Sequence, residues 1–115
     1  DFKSFKNQKF NLAMSAHILF KKIDKNNCVT HSNKIIKEII RDYIGFKGIL
    51  ISDDISMNAL KGNLIENATK SISAGCNISL YCAGKYYESK KLLIKMPYID
   101  QFTQKKTSEI YKFLG

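Results

Sequence analysis

The order of elements in this chain predicts an α/β fold built on parallel strands, and three observations predict it. Ile49-Leu50-Ile51, bounded by Gly48 and by the polar Ser52-Asp53-Asp54, has the composition of a strand buried on both faces. Ile35, Ile36, Ile39, Ile40 and Tyr43 recur at helical spacing just before it, and Ile65, Ala68 and Ile72 do so just after it. Strands and helices alternating at this interval imply parallel strands joined by right-handed crossovers.

Taken in order, residues 1–8 read as the tail of a helix or the loop after one, with Phe2 and Phe5 on one face. Phe10 to His17 reads as a first strand ending in a polar group, followed by a lysine-rich loop, 21–30, without periodicity. Ser32 stands as N-cap of the first helix and Gly45 as its C-cap. Phe46-Lys47-Gly48 then turns the chain into the central strand. A second helix, 65–74, ends at Gly75, and Cys76 to Cys82 reads as a third strand. Two further helices, 86–94 and 102–114, are separated by Pro97, which cannot continue a helix.

With 115 residues and 44% hydrophobic content, the chain has the size of one domain and can bury a core. No apolar run approaches the roughly 18 residues that a membrane helix needs, so no membrane partner is expected. The chain begins Asp1-Phe2-Lys3, without an initiator methionine or a signal-type apolar core, as if cut from something longer. Its net charge is +9, but Arg41 is the single arginine among 19 basic residues. Arginine's planar fork is the usual reader of phosphate and guanine, so this composition argues against nucleic acid as a partner. The lysines read as solvated helix faces, or as the imprint of an AT-rich coding sequence. Three cysteines, Cys28, Cys76 and Cys82, without a C-x-x-C pair, argue against both a disulfide framework and a zinc site. Reduced, buried thiols and a cytoplasmic location are the expectation, with neither metal nor organic cofactor.

Chemistry concentrates between Gly48 and Met57, where the apolar run ends in two adjacent carboxylates. In parallel sheets, functional groups collect where strands end. Alternation puts Asp53 on one face with Ile49 and Ile51, and Asp54 on the other with Leu50 and Ser52. Both faces are apolar, so periodicity alone leaves open which one faces a site. A phosphoacceptor receiver domain would also carry a mid-chain aspartate at a strand end. It would need a second acidic pair after the first strand to hold magnesium, and that strand ends in Ser15-Ala16-His17 instead.

The segments Ala13-Met14-Ser15-Ala16-His17-Ile18, Thr30-His31-Ser32, Gly45-Phe46-Lys47-Gly48 running into Ser52-Asp53-Asp54-Ile55-Ser56-Met57, and Ala74-Gly75-Cys76-Asn77 together resemble family 3 glycoside hydrolases, in particular the bacterial β-N-acetylhexosaminidases. The likeness extends to about residue 95. It implies a partial TIM-like (β/α)8 barrel: three consecutive parallel β/α units corresponding to the last three of the eight, plus C-terminal helices. Residues 1–115 would then be a single fragment of the catalytic domain, lacking the five N-terminal units and their histidine-bearing acid/base loop.

The resemblance further implies that Asp53 is the catalytic nucleophile of a retaining hydrolase acting on an N-acetylglucosamine-containing saccharide, such as a peptidoglycan fragment. His17 and Met57 would contact substrate, Met57 near the N-acetyl group. Asp54 and Ser32 would be structural, and His31 is given no role. The chain departs from the family at Asn77, where aspartate is usual, at Ala83, where asparagine is usual, and at Cys28, where proline is common. With the acid/base loop missing, hydrolysis by this chain alone is not expected. The alternatives are a non-catalytic remnant or a split-barrel subunit that needs an N-terminal partner chain.

Overall fold

A computed structural model describes residues 2–115. Two short strands, β1 (Leu12–Met14) and β2 (Ile49–Ile51), pair in parallel, with Leu12 opposite Ile49 and Met14 opposite Ile51. Three α-helices follow: α1 (Leu64–Ala74), α2 (Tyr86–Lys95) and α3 (Gln101–Leu114). The α/β class with a small parallel sheet is therefore as expected. The molecule is a slab of 42 × 41 × 20 Å rather than a closed barrel.

The expected third strand, 76–82, is not a strand but an extended segment with one parallel bridge, Ile78 to Ile51. Side chains replace main chain at two points along this edge. The Asn77 side-chain oxygen accepts the Leu50 amide at 2.8 Å, and the Ser52 hydroxyl accepts the Leu80 amide at 2.8 Å. Main-chain bonds from Asn77 to Leu50, from Ser52 to Ile78 and from Ile55 to Leu80 still hold the segment parallel to β2. The first strand is also shorter than expected, because beyond Ser15 the chain turns to bond Val29 and Thr30.

The helix before β2 departs from the expected winding. Residues 33 and 34 are α-helical, but Ile35–Tyr43 is wound as a wider π-helix, and Ile44 donates to the Ile39 carbonyl five residues back. Ile36, Ile40 and Ile44 still share one side, where they meet Phe46, Leu50, Ala74 and Cys76. A four-residue spacing suits either winding, so the apolar pattern could not separate them. Ser32 caps the opening turn as expected. Its hydroxyl accepts the Ile35 amide at 3.1 Å and donates to Asp24 at 2.7 Å.

Helix α1 opens on a capping box, with Asn63 accepting the Glu66 amide and Glu66 reaching back to the Asn63 amide. It closes at Gly75, whose φ of 118° lies in the left-handed region. Gly48 is required for a different reason: a Cβ there would collide with the Asn11 carbonyl and lie 2.7 Å from the Phe46 ring. A second core cluster joins Ile55, Leu60, Ala68 and Leu92. Of the three thiols expected to be buried, Cys76 is buried and Cys28 half-buried, but Cys82 is exposed.

The packing decides which face of β2 is covered. Ala13 and Leu50 turn toward the Ile36 cluster. On the opposite face Ile49 is buried near α3, but Leu12, Met14 and Ile78 are exposed. By alternation Asp53 continues the Ile49, Ile51 row, so it follows the strand on this open face.

Candidate active site

Asp53 and Asp54 lie just past the end of β2, both half-buried, and are held in different ways. One Asp53 carboxylate oxygen, Oδ1, accepts the Asp54 amide at 2.8 Å. The other, Oδ2, has no hydrogen-bond or ion-pair partner among the described residues. The Asp53 carbonyl accepts the Ser52 hydroxyl at 2.8 Å. Asp53 is thus fixed in orientation while presenting one free anionic oxygen.

Asp54 is fully engaged. Its carboxylate accepts the Ser56 amide at 3.0 Å, the Ser56 hydroxyl at 2.7 Å and the Cys82 amide at 3.1 Å. Partial burial opposes ionisation, but the bonds from Ser56 and Cys82 outweigh it and hold the Asp54 carboxyl below the usual aspartate value. This side chain ties β2 to the segment beside it, as a structural residue would.

Both ring nitrogens of His17 are taken by protein atoms. Nε2 lies 2.9 Å from the Asp54 carbonyl and Nδ1 lies 2.9 Å from the Thr30 hydroxyl. A substrate contact through a ring nitrogen would first have to break one of these bonds. Met57 is exposed on the loop after Asp54 and accessible to a ligand. His31 donates from Nε2 to the Asn67 carbonyl at 3.1 Å, and burial lowers its affinity for a proton. It links its short helical turn to α1.

The residues that sequence reasoning missed are Thr30 and Ser15, both buried behind His17. Ser15 lies one strand step before Ala16-His17, but nothing in the linear spacing brings Thr30 to the same place. Among the described residues, no group of three or more His, Cys, Asp or Glu is placed to hold a metal ion. A groove of about 690 Å³ is lined by Ala68, Ile72, Ile78, Leu80, Leu92 and Met96 among others, and does not include Asp53.

Comparison with known proteins bears on what this arrangement is. Residues 1–106 match the family model described as the glycosyl hydrolase family 3 N terminal domain. A β-hexosaminidase of Nitrosomonas eutropha is 37% identical over 71 residues, 60% of this chain and 20% of that protein. One from Actinobacillus pleuropneumoniae is 32% identical over 76 residues, 64% of this chain and 22% of that protein. The crystal structure of the β-N-acetylglucosaminidase from Thermotoga maritima superposes with a TM-score of 0.62 at 29% identity, over 90% of this chain and 24% of that one. The chain thus spans about a fifth of the length of the curated relatives it matches. With most of its length matched and its parallel strands delivering a half-held aspartate to an open face, the chain belongs to the glycosyl hydrolase family 3 N-terminal domain family.

Proposed function

We propose that the chain is the C-terminal portion of the catalytic domain of a cytoplasmic β-N-acetylhexosaminidase, which releases terminal N-acetylglucosamine from peptidoglycan fragments by a retaining mechanism with Asp53 as nucleophile. The observation that carries this reading is the division of labour within one carboxylate. The Asp54 amide holds Oδ1 at 2.8 Å, and Oδ2 is left free at the open end of a parallel strand. In the first step Asp53 attacks the anomeric carbon, the glycosidic C–O bond breaks, and its electron pair leaves with the departing oxygen. In the second, water attacks the same carbon, the bond to the Asp53 oxygen breaks to return the carboxylate, and the water's second proton passes to a base or to solvent.

The departing oxygen needs a proton, and a general acid is typically worth about 10²- to 10⁴-fold. Neither His17 nor His31 has a free ring N–H to give, since each Nε2 hydrogen is already donated to a carbonyl. A complete enzyme therefore takes its acid from elsewhere. The second reading is a split-barrel subunit completed by an N-terminal partner chain, which would cover the exposed Leu12 and Met14 on β1. In this reading the exposed Met57 would meet the N-acetyl group, and no cofactor enters either step.

A 5-fluoro-N-acetylglucosaminyl fluoride tests the nucleophile without needing an acid, because fluoride departs unprotonated. We expect a covalent adduct on Asp53, found by peptide mass spectrometry and abolished in Asp53→Asn. An adduct on another carboxylate, or none on the wild-type chain, refutes the assignment.

A further inference from the structure

We propose that His17 is a positioning residue: backed by Thr30, it holds the Asp53-Asp54 turn, and it does not touch the saccharide. The inference rests on the nucleophile reading of Asp53 and gives that residue its support.

The hydrogens along this chain of contacts can be assigned one by one. A carbonyl only accepts, so His17 Nε2, 2.9 Å from the Asp54 carbonyl, carries the ring hydrogen. In the neutral ring Nδ1 is then an acceptor, and the Thr30 hydroxyl at 2.9 Å donates to it. The Thr30 oxygen has a lone pair left, which accepts the Ser15 hydroxyl at 2.8 Å. Thr30 is fully buried and Ser15 nearly so. Behind them the Cys76 thiol, 3.9 Å away, faces the Thr30 carbonyl. Each group donates in one direction, and the direction ends at Asp54.

That end point matters because of what shares the turn. The Asp54 amide holds Asp53 Oδ1, the Ser52 hydroxyl holds the Asp53 carbonyl, and the Ile55 amide is bound to the Leu80 carbonyl at 2.9 Å. The Asp54 carbonyl lies between these groups and accepts both the Met57 amide at 3.1 Å and His17 Nε2 at 2.9 Å. Losing the His17 bond leaves that carbonyl to the Met57 amide alone and loosens Asp54, whose own amide, in the preceding peptide, orients Asp53. A reacting group must be held to within a fraction of an ångström, and a misplacement of about 1 Å costs on the order of 10²-fold in rate.

The test compares His17→Phe, which removes both ring bonds, with Thr30→Val, which leaves the ring but removes its buried donor, and His17→Gln, whose amide nitrogen can reach the Asp54 carbonyl. We expect labelling of Asp53 by the same fluoride reagent to slow roughly tenfold or more in the first two and to recover in the third. Amide exchange at Asp54 and Ile55 should rise in the first two variants while exchange at Ile49 and Cys76 is unchanged. In the wild-type chain, ¹⁵N shifts of His17 should report the Nε2–H tautomer. Labelling of His17→Phe at the wild-type rate, exchange rising uniformly across the sheet, or the Nδ1–H tautomer would overturn the inference. Absence of label on the wild-type chain instead refutes the nucleophile reading, while the exchange and tautomer measurements, which need no sugar, still decide the role of His17.

Discussion

Asn77→Asp is expected to stabilise the fold, because Arg41 is a half-buried cation without an anion. Its guanidinium donates to the Phe46 and Gly48 carbonyls at 3.0 and 2.8 Å and to the Asn77 side-chain oxygen at 2.8 Å. The Phe46 and Phe102 rings lie 5.2 and 5.8 Å from it. Burial lowers its affinity for its proton. Among the described residues the ion pairs are Lys85 with Glu88 and Lys106 with Glu109, so no carboxylate meets Arg41. An aspartate at 77 would accept the same Arg41 and Leu50 donors with a full negative charge. Opposite charges about 4 Å apart at a near-surface dielectric attract by about 4 kcal/mol. Desolvating the new carboxylate, solvent screening and loss of the amide donor to Thr103, now at 2.9 Å, return about 2–3 kcal/mol of that. The Thr103 hydroxyl can turn to donate instead. A net gain of about 1–2 kcal/mol would raise the melting temperature by several degrees, at roughly 4 °C or more per kcal/mol. The gain must also depend on pH with a definite sign. An aspartate beside Arg41 has a folded pKa below its unfolded value of about 3.9, so its contribution is complete above about pH 4 and is lost as pH falls through the folded value. Urea unfolding followed by circular dichroism, near pH 7 and again near pH 2, measures both halves. A variant less stable at neutral pH, or a gain equally large in acid, would refute the electrostatic account.

Two further outcomes are expected of the scaffold. Gly48→Ala should destabilise the chain by about 1–3 kcal/mol, since the added carbon collides with the Asn11 carbonyl; an unchanged urea midpoint would show that β1 can move away freely. The Ser32 hydroxyl, followed by the Asn26 and Asn27 amides, holds the Asp24 carboxyl down at about 2 against an ordinary 3.8. Stability from Asp24 is therefore present above about pH 4 and lost as pH falls toward 2, and Asp24→Asn should flatten that acid limb of the stability profile.

Much of this architecture is legible in the chain because the cues are local. Ile65, Ala68 and Ile72 mark the stripe of the second helix, Gly75 ends it, and Pro97 separates the last two helices. Local cues fail where tertiary contacts outvote them. The 76–82 segment has strand composition, yet Asn77 and Ser52 spend side-chain oxygens on amides that a regular ladder would give to carbonyls. The isoleucine spacing before β2 fits two helical windings equally and so identified neither.

The site follows the same division. That an aspartate ends a buried strand is visible in one dimension, and alternation separates Asp53 from Asp54. The covered side is not visible, because Ile49, Leu50 and Ile51 are all apolar, and only the packing of Leu50 on Ile36 and Phe46 assigns it. The support behind the carboxylate is less legible still. Thr30 reads in sequence as the lead-in to a helix cap, and its hydroxyl reaches His17 only because Ala16 and Thr30 are joined by a main-chain bond across the intervening loop. A histidine at a strand end invites a substrate contact, but one with both nitrogens occupied acts on the turn it grips. The free oxygen of Asp53 is oriented by its neighbour's amide, but the turn that carries that amide is gripped by residues 13 and more positions apart, which no motif of adjacent residues encodes.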